Sequence, residues 1–316
     1  MKTVALFNDT GSQDHVGCRA VSRAHRGMLQ DVGIRVGYSS GHDQWHELWQ
    51  GSEAATCAAV RKAAVMESIR AADAVIVNGE GTLHHGFGPN LLGILQVAQE
   101  EGKPTFLVNA LVQSCTHFLD TLARLTDCVG RDQASSAYLS GLGIRHRLVP
   151  DSILACPWSP EPSVDLSGKI VVTDWHPSRD ADVGARLRRL CRRLGDQAAY
   201  YPLEHPDRAS DWEHTVANWA AARVVITGRH HGVYLATLAR VPFLAFPSNS
   251  HKIEGLLAMS PAPLAMGRDG LRMRIQIRRL LRDPAPCLAL ADHLQAQCPL
   301  QTFRELDACL QGGPFV

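Results

Sequence analysis

The segment Val224 to Phe246, VVITGRHHGVYLATLARVPFLAF, places an arginine and two histidines directly after a short apolar run. Val224, Val225 and Ile226 have the character of a buried parallel strand, and Gly228 gives the backbone a tight exit. Arg229, His230 and His231 stand where that strand ends, and a helix starting near Gly232 aims its first N–H groups at the same edge. A guanidinium grips carboxylate or phosphate in bidentate fashion, and an imidazole titrates near neutral pH. Together they suit binding of an anion and proton transfer to it. His251 and Lys252 follow the next strand and can reach a phosphate, a solvated lysine at a helix start being the plainer alternative. For His230, packing or orientation of its neighbour stands beside direct catalysis.

A second polar group falls in the first half of the chain. Asn8, Gly11 and His15 follow one predicted strand, and Asn78, Gly79, Glu80 and His84 follow another. In a parallel sheet their polar groups converge on one edge. Glu80, the one carboxylate of its loop, is a candidate base; bracing the loop through a backbone N–H is the equal alternative. His85 ranks lower, Asp151 reads as a cap of the turn SILA, and Asp174 with His176 ends the strand in VVTDWHPS.

Alternating strand and helix patterns position these residues. Strands are predicted at residues 3–8, 34–38, 74–78, 104–108, 127–130 and 146–149, with helices at 15–31, 56–71, 90–101, 115–125 and 132–140. The tract CPWSPEPSVDLSG, residues 156–168, carries three prolines and reads as a linker. The pattern then restarts, with strands at 169–173, 197–201, 223–226 and 242–246 and helices at 180–194, 211–220 and 231–240. The expected fold class is α/β, with two doubly wound Rossmann-like domains, 1–155 and 169–300, facing a cleft. A C-terminal segment, 301–316, is expected to pack back on the first domain.

Length and composition bound the rest. At 316 residues the chain exceeds the size at which one core keeps growing. Its 32 basic and 31 acidic residues give no general field for nucleic acid, so any anion specificity is local. No export signal and no apolar run of bilayer length stands out, and a cytoplasmic location is expected. Two arginine-rich helices, around Arg186 to Arg193 and Arg272 to Arg282, read as solvated faces, with peripheral contact to an anionic membrane surface as the alternative. The nine cysteines form no CxxC pair and read as reduced thiols. No cofactor and no metal is assigned, although fifteen histidines, several at strand ends, leave a divalent ion open.

The Arg229-x-His231-Gly232 turn, with Ala236, Ala239, Val241, Pro242 and Lys252 behind it, resembles the signature of the polysaccharide pyruvyl transferase superfamily. Three further segments fit in register: AVIVNGEGTLHH from Ala74, RDQASSAYLSGLGI from Arg131 and VPDSIL from Val149. Where that family often opens with a Gly-Asn-x-Gly-Asp loop, this chain has Asn8, Asp9, Thr10, Gly11 and Ser12. The resemblance implies a glycosyltransferase-B-like fold and a transferase that places a pyruvyl ketal from phosphoenolpyruvate on a glycan or lipid-linked sugar. It implies 169–300 as the donor side, with Arg229 as the grip on the donor and His231 as the acid that protonates its methylene carbon, and 1–155 as the acceptor side, with Asn8, Gly11, His15, Asn78, Gly79, Glu80 and His84 toward the sugar hydroxyls. The alternative is a sugar-nucleotide-dependent glycosyltransferase on the same fold, whose donor also brings phosphates to a strand-helix turn.

Overall fold

The computed structural model describes residues 1–41, 44–176, 181–268, 270–297 and 299–311. The end of VVTDWHPS after His176, and the last five residues of the C-terminal segment, lie outside these described residues. Among the described residues twelve strands run in chain order as β1 (Thr3–Asp9), β2 (Arg35–Gly41), β3 (Ala74–Asn78), β4 (Leu83–His84), β5 (Thr105–Ala110) and β6 (Val112–Gln113). They continue as β7 (Asp127–Gly130), β8 (Arg147–Leu148), β9 (Ile170–Trp175), β10 (Ala198–Tyr200), β11 (Val224–Gly228) and β12 (Phe243–Ala245).

The chain divides into two compact units. The first contains Met1–Ser12, Ser22–Ala155 and Cys298–Val316, and the second Gln13–Val21 and Cys156–Gln297. In the first unit a parallel sheet has the order β2-β1-β3-β5-β7-β8, with Phe7 opposite Val77 and Asn78 opposite Val108. Every residue of β3 and β5 is buried, as expected of a parallel sheet covered on both faces. Val75, Val77, Leu107 and Cys128 pack there with Ile94, Leu95 and Val97 of the helix Pro89–Glu100. A buried ion pair, Arg131 Nη1 to Asp151 Oδ2 at 2.7 Å, ties the end of β7 to the turn Ser152–Ala155. Asp151 Oδ1 also accepts the Ile153 N–H at 2.9 Å, the turn-capping role expected of it. The C-terminal segment contributes the carbonyls of Gln301 and Thr302 to the Arg147 guanidinium of this unit.

The second unit has a parallel sheet ordered β10-β9-β11-β12. Val172, Trp175, Val224, Ile226, Leu244 and Phe246 form its core with Leu187 of the helix Ala181–Leu194. Two structural differences from the sequence expectation stand out. The helix predicted over 56–71 is two helices, Glu53–Lys62 and Val65–Ala71, separated by an extended Ala63. Around residues 82–113 a small extra sheet, β4 with β6, forms where no strand was expected. Two-residue strands carry too little alternation to be seen in sequence. No helix among the described residues is long and apolar enough to cross a membrane.

Candidate active site

Strand order locates the chemistry in each unit. In an open parallel sheet, ligands bind beyond the carboxyl ends of the strands where the order reverses. In the second unit the chain passes from β9 to β10 on one side and to β11 on the other, so the reversal lies between β9 and β11. Asp174, Trp175 and His176 leave β9 there, and Gly228, Arg229 and His230 leave β11.

Arg229 sits at the start of the helix His230–Leu238, and its N–H donates to Thr227 Oγ1 at 3.1 Å. Its guanidinium is held between two carboxylates: Nε donates to Asp174 Oδ2 at 2.7 Å, and Nη2 pairs with both Asp174 and Glu204. Asp174 Oδ1 accepts the Leu203 N–H at 2.7 Å, so this carboxylate is fixed from both sides. Gly232 is required sterically, because a Cβ there would stand 2.2 Å from Thr227 Oγ1. Gly228 faces the Trp175 ring in the same way, at 1.9 Å.

The imidazoles gather beside this pair. His230 Nδ1 donates to the Lys252 carbonyl at 3.0 Å, which fixes its ring and ties this helix to the helix Lys252–Leu257. Its edge-to-face contacts with Tyr234 and His231 are those of a packed ring, so the orienting role expected as one alternative fits it. His231 is buried, with its ring 5.5 Å from that of His15. His15 belongs to the second unit and not with the acceptor residues: its backbone bridges to Glu204 and Val16 N–H donates to the Leu203 carbonyl. His15 Nδ1 accepts the N–H groups of Gly17 at 3.1 Å and Cys18 at 3.4 Å, capping the helix Val16–Asp31.

Burial, and then the charges of His231 and Arg229, push His15 well below the usual histidine value of 6.5. Burial, with Lys252 and Arg229 behind it, lowers His176 to about 4. Both rings are therefore neutral at pH 7 and can accept a proton. His176 Nε2 also lies 3.4 Å from Asn249 Nδ2. His251 caps the helix Lys252–Leu257, half-buried, without a side-chain cap bond.

The first unit holds the other predicted residues at its own reversal point, between β1 and β3. Asn8 takes a left-handed backbone (φ 60°), and its Nδ2 donates to the Asn78 carbonyl at 2.6 Å. Glu80 Oε2 accepts Thr10 Oγ1 at 2.8 Å and Asn78 Nδ2 at 3.3 Å, and the Glu80 N–H donates to Asn78 Oδ1 at 3.2 Å. In these contacts the Glu80 carboxylate meets a hydroxyl and a side-chain amide rather than the backbone N–H of the expected brace. Gly79 lies against Ala110, whose Cβ would be 2.6 Å from an added methyl, and a methyl added at Gly11 would stand 2.6 Å from Ser22 Oγ. His84 is buried in β4, packed edge-on to His85 and Phe87. The sequence did not single out Glu204, Gly17, Cys18 or Thr227, whose importance arises only from contacts distant in sequence. The polar LEH after an apolar YYP was the one available sign of Glu204.

Solved structures define the class of fold. The chain is similar to the UDP-GlcNAc 2-epimerase from Neisseria meningitidis bound to UDP-GlcNAc, at 10% identity over 99% of this chain and 100% of that one, with a TM-score of 0.59. It is similar to S. aureus MnaA solved with UDP, at 12% identity over 98% and 97%, TM-score 0.63. A third is the UDP-GlcNAc 2-epimerase from Methanocaldococcus jannaschii, at 12% identity over 94% and 98%, TM-score 0.54. No curated protein matches the sequence. The sequence model described as polysaccharide pyruvyl transferase matches residues 22–250, more than half of the chain, and the chain belongs to that family.

The activity that the resemblance implied is corrected. Full-length structures of the same fold are sugar-nucleotide enzymes of the UDP-GlcNAc 2-epimerase type. The Arg229 guanidinium expected to grip phosphoenolpyruvate is already paired with Asp174 and Glu204. Phosphoenolpyruvate as donor, the pyruvyl ketal on a glycan or lipid-linked sugar, and the pyruvyl transferase activity are therefore withdrawn as expectations.

Proposed function

We propose that the chain is an enzyme that processes a nucleoside-diphosphate sugar of the UDP-GlcNAc kind by epimerase-like acid-base chemistry, the glycosyltransferase-B-like identity of the fold being part of this reading. The observation that carries it is the cluster at the β9/β11 reversal point: His15 and His176 held neutral beside the charge-balanced Asp174, Arg229 and Glu204. Inverting a carbon centre needs a base to take a proton and an acid to return one, roles that fall to the imidazoles of this cluster. Departure of a diphosphate needs positive potential, which the N-terminus of the helix His230–Leu238 and Lys252 supply. In this reading His231 handles the proton, Arg229 fixes Asp174 and Glu204, and His230, Gly232 and His251 shape the phosphate side. Asn8, Gly11, Asn78, Gly79, Glu80 and His84 form a separate polar subsite for sugar hydroxyls.

The reading is tested by thermal unfolding with UDP, UDP-GlcNAc and phosphoenolpyruvate. A ligand at 100 times its Kd stabilises the native form by about 2.7 kcal/mol. UDP and UDP-GlcNAc are expected to raise the midpoint by several degrees and phosphoenolpyruvate to leave it unchanged; the reverse pattern refutes the proposal.

A further inference from the structure

We propose that His15, Cys18 and His231 form a binding site for a single thiophilic divalent cation of the zinc class. Each residue offers one ligand atom, and these three atoms lie within 4.8 Å of one another. His15 and His231 also belong to the proposed acid-base cluster, so a cation bound there occupies lone pairs that proton transfer would use.

Local structure explains how the three meet. His15 and Cys18 are three residues apart at the start of the helix Val16–Asp31, a spacing that puts both on one face of the first turn. Gly17 between them clears the way for His231: a Cβ on Gly17 would stand 2.1 Å from His231 Nδ1. The absence of a side chain at one position thus lets a ring from a distant helix lie against the His15–Cys18 turn. A thiolate with two imidazoles selects zinc or cobalt over magnesium or calcium, whose preferred ligands are oxygens.

Zinc bonds of about 2.0 to 2.3 Å require ligand atoms roughly 3.5 Å apart, so the site closes by about 1 Å on binding. Cys18 is only partly buried, and rotation of its side chain supplies much of that movement. On binding, the Cys18 thiol gives its proton to solvent and the thiolate neutralises one of the two cation charges. His15 Nδ1 accepts two backbone N–H groups without metal, so the cation competes with the helix cap. Three protein ligands leave a fourth position for water or a substrate oxygen.

The test uses the full chain stripped with a chelator and titrated with Co²⁺ alone. One equivalent is expected to bind, with a thiolate-to-cobalt band in the near ultraviolet and intense tetrahedral visible bands, and Zn²⁺ is expected to displace it. Cys18→Ser should abolish the charge-transfer band, and His15→Ala should weaken binding about tenfold or more. Thermal unfolding of both variants without metal checks that they fold; if either is unfolded, Cys18→Ala and His15→Gln replace them. Absence of Co²⁺ binding to the native chain, or titrations unchanged in the folded variants, overturns the proposal. The UDP-GlcNAc thermal shift is measured on the metal-free native chain, so failure of one reading is separable from failure of the other.

Discussion

At the residue scale, the site turns on how Arg229 is used. An arginine after a strand reads in sequence as an anion grip, but in the fold it lies buried between Asp174 and Glu204. Truncating one partner of a buried pair leaves the other charge uncompensated, at a cost of about 3–5 kcal/mol. Arg229→Ala is therefore expected to lower the free energy of unfolding by about that much in urea denaturation. Glu204→Gln should cost well under half as much, because its side chain is 57% exposed. His176 gives a pH-dependent prediction. Its ring stays neutral in the folded chain down to about pH 4, whereas unfolded histidine titrates near 6.5. Between those values the unfolded chain binds the extra proton, so this contribution to stability is complete above 6.5 and is lost as pH falls toward 4. An NMR titration should follow one imidazole with a midpoint near 4 that disappears in His176→Gln. Arg229, His231 and Lys252 were legible as chemistry-bearing residues because they follow strands. Their partners were not, because Asp174 and Glu204 reach Arg229 across 55 and 25 residues of sequence.

At the element scale, regular parallel strands were the most legible part of the chain. AVIVN at 74–78 and DCVG at 127–130 are strands at the predicted bounds, since continuous apolar runs between turn signals leave little alternative. Less legible were elements fixed by tertiary contact. The start of the helix Val16–Asp31 belongs with the second unit, while the strand before it belongs with the first, and nothing in NDTGSQDHVGC marks the change. Glycines at close approaches also gave no local signal. Gly17→Ala places a methyl inside the His231 ring position, and relief requires the ring or the helix start to move. A cost of about 1–3 kcal/mol is expected from such overpacking. Because His231 is displaced, kcat should also fall at least tenfold while far-ultraviolet circular dichroism is retained. Native-like kcat in Gly17→Ala would show that the ring position is not critical.

At the scale of the whole molecule, sequence family and fold give different information. Family membership rests on the match over residues 22–250, whereas similarity in fold to UDP-sugar enzymes extends over nearly the entire chain. With 32 basic and 31 acidic residues, no global field selects between a small enol ester and a nucleotide sugar, so selection falls to the local clusters. Each unit carries its polar cluster at the reversal point of its own sheet, which strand order alone dictates. The most direct measurement incubates the full chain with UDP-GlcNAc in deuterium oxide and follows the sugar by NMR. Acid-base chemistry at a carbon centre predicts deuterium at a carbon-bound sugar position, abolished in His231→Ala. A sugar that keeps all its carbon-bound protons and its configuration, while phosphoenolpyruvate is consumed in the presence of a glycan, would contradict the account.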